Sequence, residues 1–218
     1  MKTLIEHIPA LIAIESGTLD GDLSLPAELK GLVVFAHGSG SSRHSPRNHY
    51  VAGVLNEHSL GTLLVDLLTA EEEREDEYNA CLRFDIALLT KRVVAITEWL
   101  ASQPQATGHT LGLFGASTGA AAALLAAVRL PKLVKAVVSR GGRPDLAGID
   151  AMLVRAPTLL IVGGEDTAVI EMNREAMAIM KCETKLEIVP GASHLFEEPG
   201  TLPTAAKLAA QWFANYLK

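Results

Sequence analysis

Apolar residues in this chain come in short saturated runs, and between several of them lie stretches with helical spacing. The runs Leu32–Ala36, Thr62–Asp66, Thr110–Phe114, Val134–Ser139, Thr158–Val162 and Lys185–Val189 have strand length. Runs of four to eight apolar residues bounded by turn signals suit strands buried on both faces. Leu11–Glu15 and Thr18–Leu25 flank Ser16-Gly17 and predict an opening antiparallel hairpin. Ile86, Leu89, Val93, Ile96 and Leu100 recur at helical spacing, which predicts a helix within Arg83–Ser102. Further helices are expected over Tyr50–His58, Ser117–Arg129, Ile170–Met180 and Thr204–Leu217. Strands alternating with helices imply an α/β fold, a mostly parallel sheet covered on both faces. In such sheets binding sites gather at the carboxyl ends of the strands.

At 218 residues and 49% hydrophobic, the chain fits one large domain over residues 1–218 with a sizeable core. There is no internal repeat and no shift in composition resembling a linker. The one biased stretch, Glu71–Glu77, reads as a solvated loop or helix turn. A formal net charge of −6 without a basic stripe argues against nucleic acid or an anionic membrane as partner. No apolar run approaches the ~20 residues of a membrane span, and the start Met1-Lys2-Thr3-Leu4 does not open a signal peptide. Cys81 and Cys182 have no metal or redox spacing and are expected as free, buried or partly buried thiols, with no metal and no cofactor. A cytoplasmic enzyme acting on a small molecule is the expectation; the oligomeric state is left open.

Chemistry enters at Gly115-Ala116-Ser117-Thr118-Gly119, a G-x-S-x-G pentapeptide between a strand and a helix-prone alanine run. That context suits a nucleophile elbow, a turn sharp enough to strain the serine and expose its Oγ. Glycines two residues before and after let strand and helix approach without a Cβ clash. Two further residues stand just past strand ends: Asp166 in Gly163-Gly164-Glu165-Asp166, and His194 in Gly191-Ala192-Ser193-His194. A serine hydroxyl needs a neutral imidazole to take its proton, and a carboxylate must hold that imidazole in the right tautomer. The order Ser117, Asp166, His194 therefore predicts a catalytic triad. The loop His37-Gly38-Ser39-Gly40-Ser41-Ser42 follows another strand and exposes backbone N–H groups. The Ser39 N–H, with Gly40 as second choice, and the Thr118 N–H are the expected oxyanion donors. His37 reads as a residue that shapes this loop. Phosphate cradling is disfavoured, because neither a P-loop ending nor a dinucleotide fingerprint is present.

These motifs, together with Arg43-His44-Ser45-Pro46-Arg47-Asn48 and Asp66-Leu67-Leu68-Thr69, span most of the chain. In them the chain resembles α/β-hydrolases of the dienelactone-hydrolase-related group. The resemblance implies an eight-stranded, mostly parallel sheet with flanking helices, and catalytic roles for Ser117, Asp166 and His194. Dienelactone hydrolases proper carry cysteine where this chain has Ser117. That departure favours cleavage of small carboxylic esters, with lactone or thioester hydrolysis as the neighbouring alternative. The group is similar to proteins sometimes fused to phosphoribosyltransferases, which keeps a non-catalytic accessory role in view.

Only Arg140–Ala156 separates the strand after the elbow helix from the next, too short for a large cap domain. The site should be open, with Leu67–Arg83 as the one long segment able to lean over it. Two readings of Arg140-Gly141-Gly142-Arg143 stay open. Arg140 and Arg143 either grip a substrate carboxylate or make ordinary ion pairs. Gly40 is a further candidate for substrate contact. Arg43 and Arg47 leave the same choice. Asp66 ends a strand near the site but stands in the wrong chain position to be the triad acid.

Overall fold

In a computed structural model, which describes residues 4–218, the chain begins with two long paired strands. β1 (Ile5–Ile14) and β2 (Gly17–Pro26) run antiparallel, and Ile14 faces Gly17 across the turn. The residues Met1–Thr3, on which part of the signal-peptide reading rests, lie outside the described residues. Then follow β3 (Gly31–Ala36), α1 (Pro46–Glu57), β4 (Leu60–Val65), α2 (Ala70–Asn79), α3 (Ile86–Ser102), β5 (Thr110–Ala116) and α4 (Thr118–Arg129). The chain closes with β6 (Val134–Arg140), β7 (Thr158–Gly163), α5 (Thr167–Ile179), β8 (Thr184–Val189) and α6 (Thr201–Tyr216).

One eight-stranded sheet results, in the order β1-β2-β4-β3-β5-β6-β7-β8. The strands from β3 to β8 are parallel, and the hairpin joins antiparallel along β4. Every residue of β3, β4 and β7 is buried, as expected for strands covered on both faces. One face packs on α3 and α4 through Leu89, Val93, Ile96 and the alanines 121–123. The other packs on α1 and α6 through Val51, Leu55, Ala209 and Phe213.

Several elements differ from their expected bounds for local reasons. β1 begins six residues before Leu11 and pairs along its whole length with β2. α1 begins at Pro46 rather than Tyr50, because Ser45 caps it by accepting the Asn48 N–H and Pro46 stands in its first turn. The acidic run Glu71–Glu77, expected as a solvated loop or helix turn, takes the helical form. It lies in α2, where Thr69 and Glu72 cap each other's backbone N–H groups. Between β6 and β7 the chain makes only a 3₁₀ stretch, Pro144–Leu153, broken at Gly148 where φ is 57°. Among the described residues no large cap covers the carboxyl ends of the strands.

Candidate active site

Ser117 alone joins β5 to α4, with φ 50° and ψ −123°. Positive φ costs a side-chain-bearing residue strain, and it persists only where surroundings impose it. Here they do. The Ser117 N–H donates to the Arg140 carbonyl at 3.3 Å, and the Ser117 carbonyl accepts from the Arg143 and Ala120 N–H groups, both at 3.1 Å. A Cβ on Gly115 would lie 2.4 Å from Ala120 Cα, and one on Gly119 would lie 2.3 Å from the Ala36 carbonyl oxygen. The two glycines of the pentapeptide therefore let strand and helix close on each other.

Asp166 follows β7 and His194 follows β8. Asp166 occupies the N-cap position of α5 but makes no capping bond. Its Oδ2 lies 2.6 Å from His194 Nδ1 instead. His194 Nε2 lies 3.4 Å from Ser117 Oγ. At that distance the serine–imidazole contact is long for a hydrogen bond and has room to tighten. Glu198 steadies the histidine loop by accepting the Ser193 N–H at 3.0 Å, and bonding to Ser193 holds the Glu198 carboxyl below its usual range.

The loop after β3 approaches the elbow so closely that a Cβ on Gly38 would stand 2.9 Å from Ser117 Cβ. The Ser39 N–H is not free, since it donates to Thr118 Oγ1 at 3.0 Å. The Gly40 N–H makes no hydrogen bond among the described residues. His37 is wedged behind this loop. Its Nε2 accepts the Leu67 N–H at 3.1 Å, so Nδ1 carries the proton and donates to the Gly38 carbonyl at 2.9 Å. Burial pulls the His37 pKa down and keeps the ring neutral.

The structure separates the candidate arginines. Arg43 binds Asp66 through both its backbone N–H and its guanidinium, which also lies 3.4 Å from Asp22. Asp66 is thereby occupied away from His194. Arg143 forks onto Asp145 with two bonds of 2.8 Å, so its side chain is committed to an internal pair. Arg47 meets Glu197 at 3.2 Å on the surface. Arg140 has no acidic partner; only its Nη2 finds an acceptor, Asn48 Oδ1 at 3.4 Å. Asn48 and the Thr118 hydroxyl are site groups that spacing did not reveal. The one signal for Asn48 was its place beside Arg47 after the helix-opening Ser45-Pro46.

A cavity of about 240 Å³ holds Ser117 and His194 together with Gly38, Ser45, Arg47, Asn48 and Arg140. A second of the same size lies across the Gly38–Ser41 loop, beneath α2, and includes Leu67, Glu73, Asp76 and Arg83. Burial pushes the Asp76 carboxyl up, but its bonds to Arg83 and Leu82 outweigh that and hold it below the usual range. Cys81 and Cys182 are free thiols; Cys182 is partly buried as expected, but Cys81 is exposed, because it lies in the turn that follows α2. Among the described residues no cluster of His, Cys, Asp or Glu could hold a metal ion.

A serine at an elbow, backed by histidine and aspartate at the ends of a doubly covered parallel sheet, defines the α/β-hydrolase class. The dienelactone hydrolase family profile matches residues 62–218, and the chain belongs to that family. The solved dienelactone hydrolase from Anabaena variabilis is 52% identical, with a TM-score of 0.96 over 98% of this chain and 99% of that one. Est1E from Butyrivibrio proteoclasticus shares the fold at 16% identity, with a TM-score of 0.79 over 95% of this chain and 98% of its own. A Mycobacterium tuberculosis protein that bears the name "Putative phosphoribosyl transferase" is 57% identical over 197 residues, 90% of this chain. The chain spans only 44% of that relative's length. Among the described residues no helix is long and apolar enough to cross a membrane.

Proposed function

We propose that this family member is a serine hydrolase that cleaves small carboxylic esters in the cytoplasm. The observation that carries the reading is the hydrogen-bonded series from Asp166 through His194 to Ser117, ending at a serine held in a strained elbow. Ser117 Oγ attacks the ester carbonyl carbon while His194 Nε2 takes its proton. Asp166 holds Nδ1–H toward itself, fixes the tautomer and stabilises the imidazolium. The tetrahedral oxyanion meets the N–H of Thr118 at the start of α4 and a second N–H from the Gly38–Gly40 turn. His194 then protonates the leaving alkoxide, and the C–O bond breaks to leave an acyl-enzyme. Water, deprotonated by His194, attacks that acyl carbon and releases the acid and Ser117.

Lactone hydrolysis is the neighbouring reading, favoured by the family to which the chain belongs. The same steps open a ring, and the alkoxide stays attached to the acyl group. The transferase name belongs to a protein of which this chain spans less than half, and a transferase activity is not part of the proposal. The free thiols suit a reducing compartment.

The test is labelling and turnover together. A fluorophosphonate should modify Ser117 and no other serine. Ser117→Ala should fold normally and lose on the order of 10⁴-fold or more in kcat, as expected of residues acting as a unit. Asp166→Asn should keep the fold and also lose most of kcat. An active Ser117→Ala, or an adduct on another serine, would falsify the assignment.

A further inference from the structure

The turn after β6 contains one peptide group that is held at both ends. Gly142 is buried, and among the described residues its carbonyl accepts from a single donor, Asn173 Nδ2 at 3.0 Å. The N–H of the same peptide belongs to Arg143 and donates to the Ser117 carbonyl at 3.1 Å. A trans peptide is a rigid plane whose C=O and N–H point in opposite directions. Whatever aims the Gly142 carbonyl therefore also aims the N–H that grips Ser117.

Asn173 is placed to do this. It lies within α5, the helix that Asp166 opens, and is fully buried. Its Nδ2 also donates to the Val169 carbonyl, one turn back, at 2.8 Å. Both neighbours are carbonyl oxygens, so only the NH₂ side of the amide can face them. Oδ1 is left buried with no donor, which is unfavourable. Elsewhere, where this chain makes only a bond one turn back, it uses threonine: Thr90 donates to the Ile86 carbonyl and Thr97 to the Val93 carbonyl, both at 2.6 Å. Asparagine at 173 adds the reach to Gly142, at the cost of an orphaned oxygen. The turn itself has no slack. A Cβ on Gly142 would stand 2.5 Å from Ala120 Cβ and would collide with the Ser139 hydroxyl. The neighbouring Gly141 N–H is fixed to the Ile161 carbonyl at 2.7 Å.

We infer that Asn173 is a positioning residue for the nucleophile. Through the Gly142–Arg143 peptide it holds Ser117 at its positive φ, the posture that aims Oγ at His194. Two hydrogen bonds in series along one peptide also polarise each other, so losing the first weakens the second. One helix then serves two members of the triad, with Asp166 at its start and the brace for Ser117 further along. The inference rests on the reading of Ser117 as an esterase nucleophile. Asn173 itself touches neither substrate nor the reacting atoms.

Asn173→Thr tests it, because threonine keeps the bond to Val169 and cannot span to Gly142. With a short neutral 4-nitrophenyl ester, kcat should fall about 10- to 100-fold and KM should barely move, the scale of loss when a reacting group is misplaced by up to about 1 Å. Fluorophosphonate labelling of Ser117 should slow by a similar factor. The pH at which kcat/KM falls off should stay where it is in wild type, since Asp166 and His194 keep their bond. Hydrogen exchange at the Arg143 amide, followed by NMR, should be faster than in wild type. Asn173→Leu, which loses both side-chain bonds, should repeat these effects, and Asn173→Thr decides alone where Asn173→Leu does not fold. Ile170→Ala loosens the same helix beside Val162 without touching the turn. It should lower the melting temperature and leave kcat and Arg143 exchange near wild type. A folded Asn173→Thr with wild-type kcat overturns the proposal. So does a loss of kcat with Arg143 exchange unchanged, or an equal loss in Ile170→Ala. If wild type neither takes the label nor cleaves an ester, the esterase reading fails, while faster Arg143 exchange in Asn173→Thr would still uphold the brace.

Discussion

Ser117 owes its posture to atoms that its neighbours lack. Gly38, Gly115 and Gly119 each stand where a Cβ would collide with the elbow or with the strand beside it. The next residue matters as much. Thr118 is the expected N–H donor to the oxyanion, and its hydroxyl oxygen accepts the Ser39 N–H. The hydroxyl thus ties the two sides of the expected oxyanion site together, which makes Thr118 a positioning residue in the proposed mechanism. Thr118→Val removes the acceptor and keeps the shape. It should lower kcat about tenfold with little change in KM, less than the 10²–10³ lost when an oxyanion donor is deleted outright. Thr118→Ser should recover the loss. A Thr118→Val enzyme faster than wild type would mean that the bond holds the Ser39 N–H away from the oxyanion. The pentapeptide and the two later loops made Ser117, Asp166 and His194 legible in the sequence, because each is a short local signal. The competition for the Ser39 N–H was not legible, since it depends on where a hydroxyl 79 positions away comes to rest. The same holds for Arg143, whose partner two residues on takes it out of the cavity that Arg140 enters.

The inner strands β3 to β7 were readable because their apolar runs are nearly saturated, whereas the half-exposed β1 was legible only from Leu11. The helices that frame the site were less so. α1 opens with Pro46-Arg47-Asn48-His49, which has no apolar period, and only its Ser-Pro cap announces it. α2 is acidic on nearly every face, with only Asp76 buried. It is helical because of its capping box and because Glu72 also reaches Arg92 of α3 at 2.5 Å and Ser16 of the hairpin turn at 3.0 Å. These tethers leave α2 leaning over one side of the Gly38–Ser41 loop, and among the described residues nothing larger covers the strand ends. An acyl chain gains roughly 0.8 kcal/mol for each methylene it buries, and this cleft has little apolar wall to offer. With neutral 4-nitrophenyl esters kcat/KM should peak between acetyl and hexanoyl. A value that keeps rising to palmitoyl would show an apolar channel that this arrangement does not provide.

At the scale of the whole molecule, charge and burial meet in two places at the carboxyl end of the sheet. His37 links the end of β3 to the turn after β4 and is kept neutral by burial, with its pKa below the ordinary 6.5. In the unfolded chain the same ring takes a proton near 6.5. Between the depressed native value and 6.5 the unfolded state therefore binds more protons, so this contribution is complete above about pH 6.5 and is lost as pH falls toward the native pKa. The melting temperature of wild type should drop more steeply from pH 7 to pH 5 than that of His37→Gln, whose curve starts lower and runs flatter. Parallel curves would mean that His37 titrates alike in the folded and the unfolded chain.

The second place is Arg140. A fold that leaves one buried cation without a counter-charge is less secure than its sequence would allow, because an apolar side chain of similar length there is often neutral or stabilising. Selection for heat resistance alone would trade Arg140 for an apolar residue, so at this position the fold gives up durability for a charge beside Ser117 and His194.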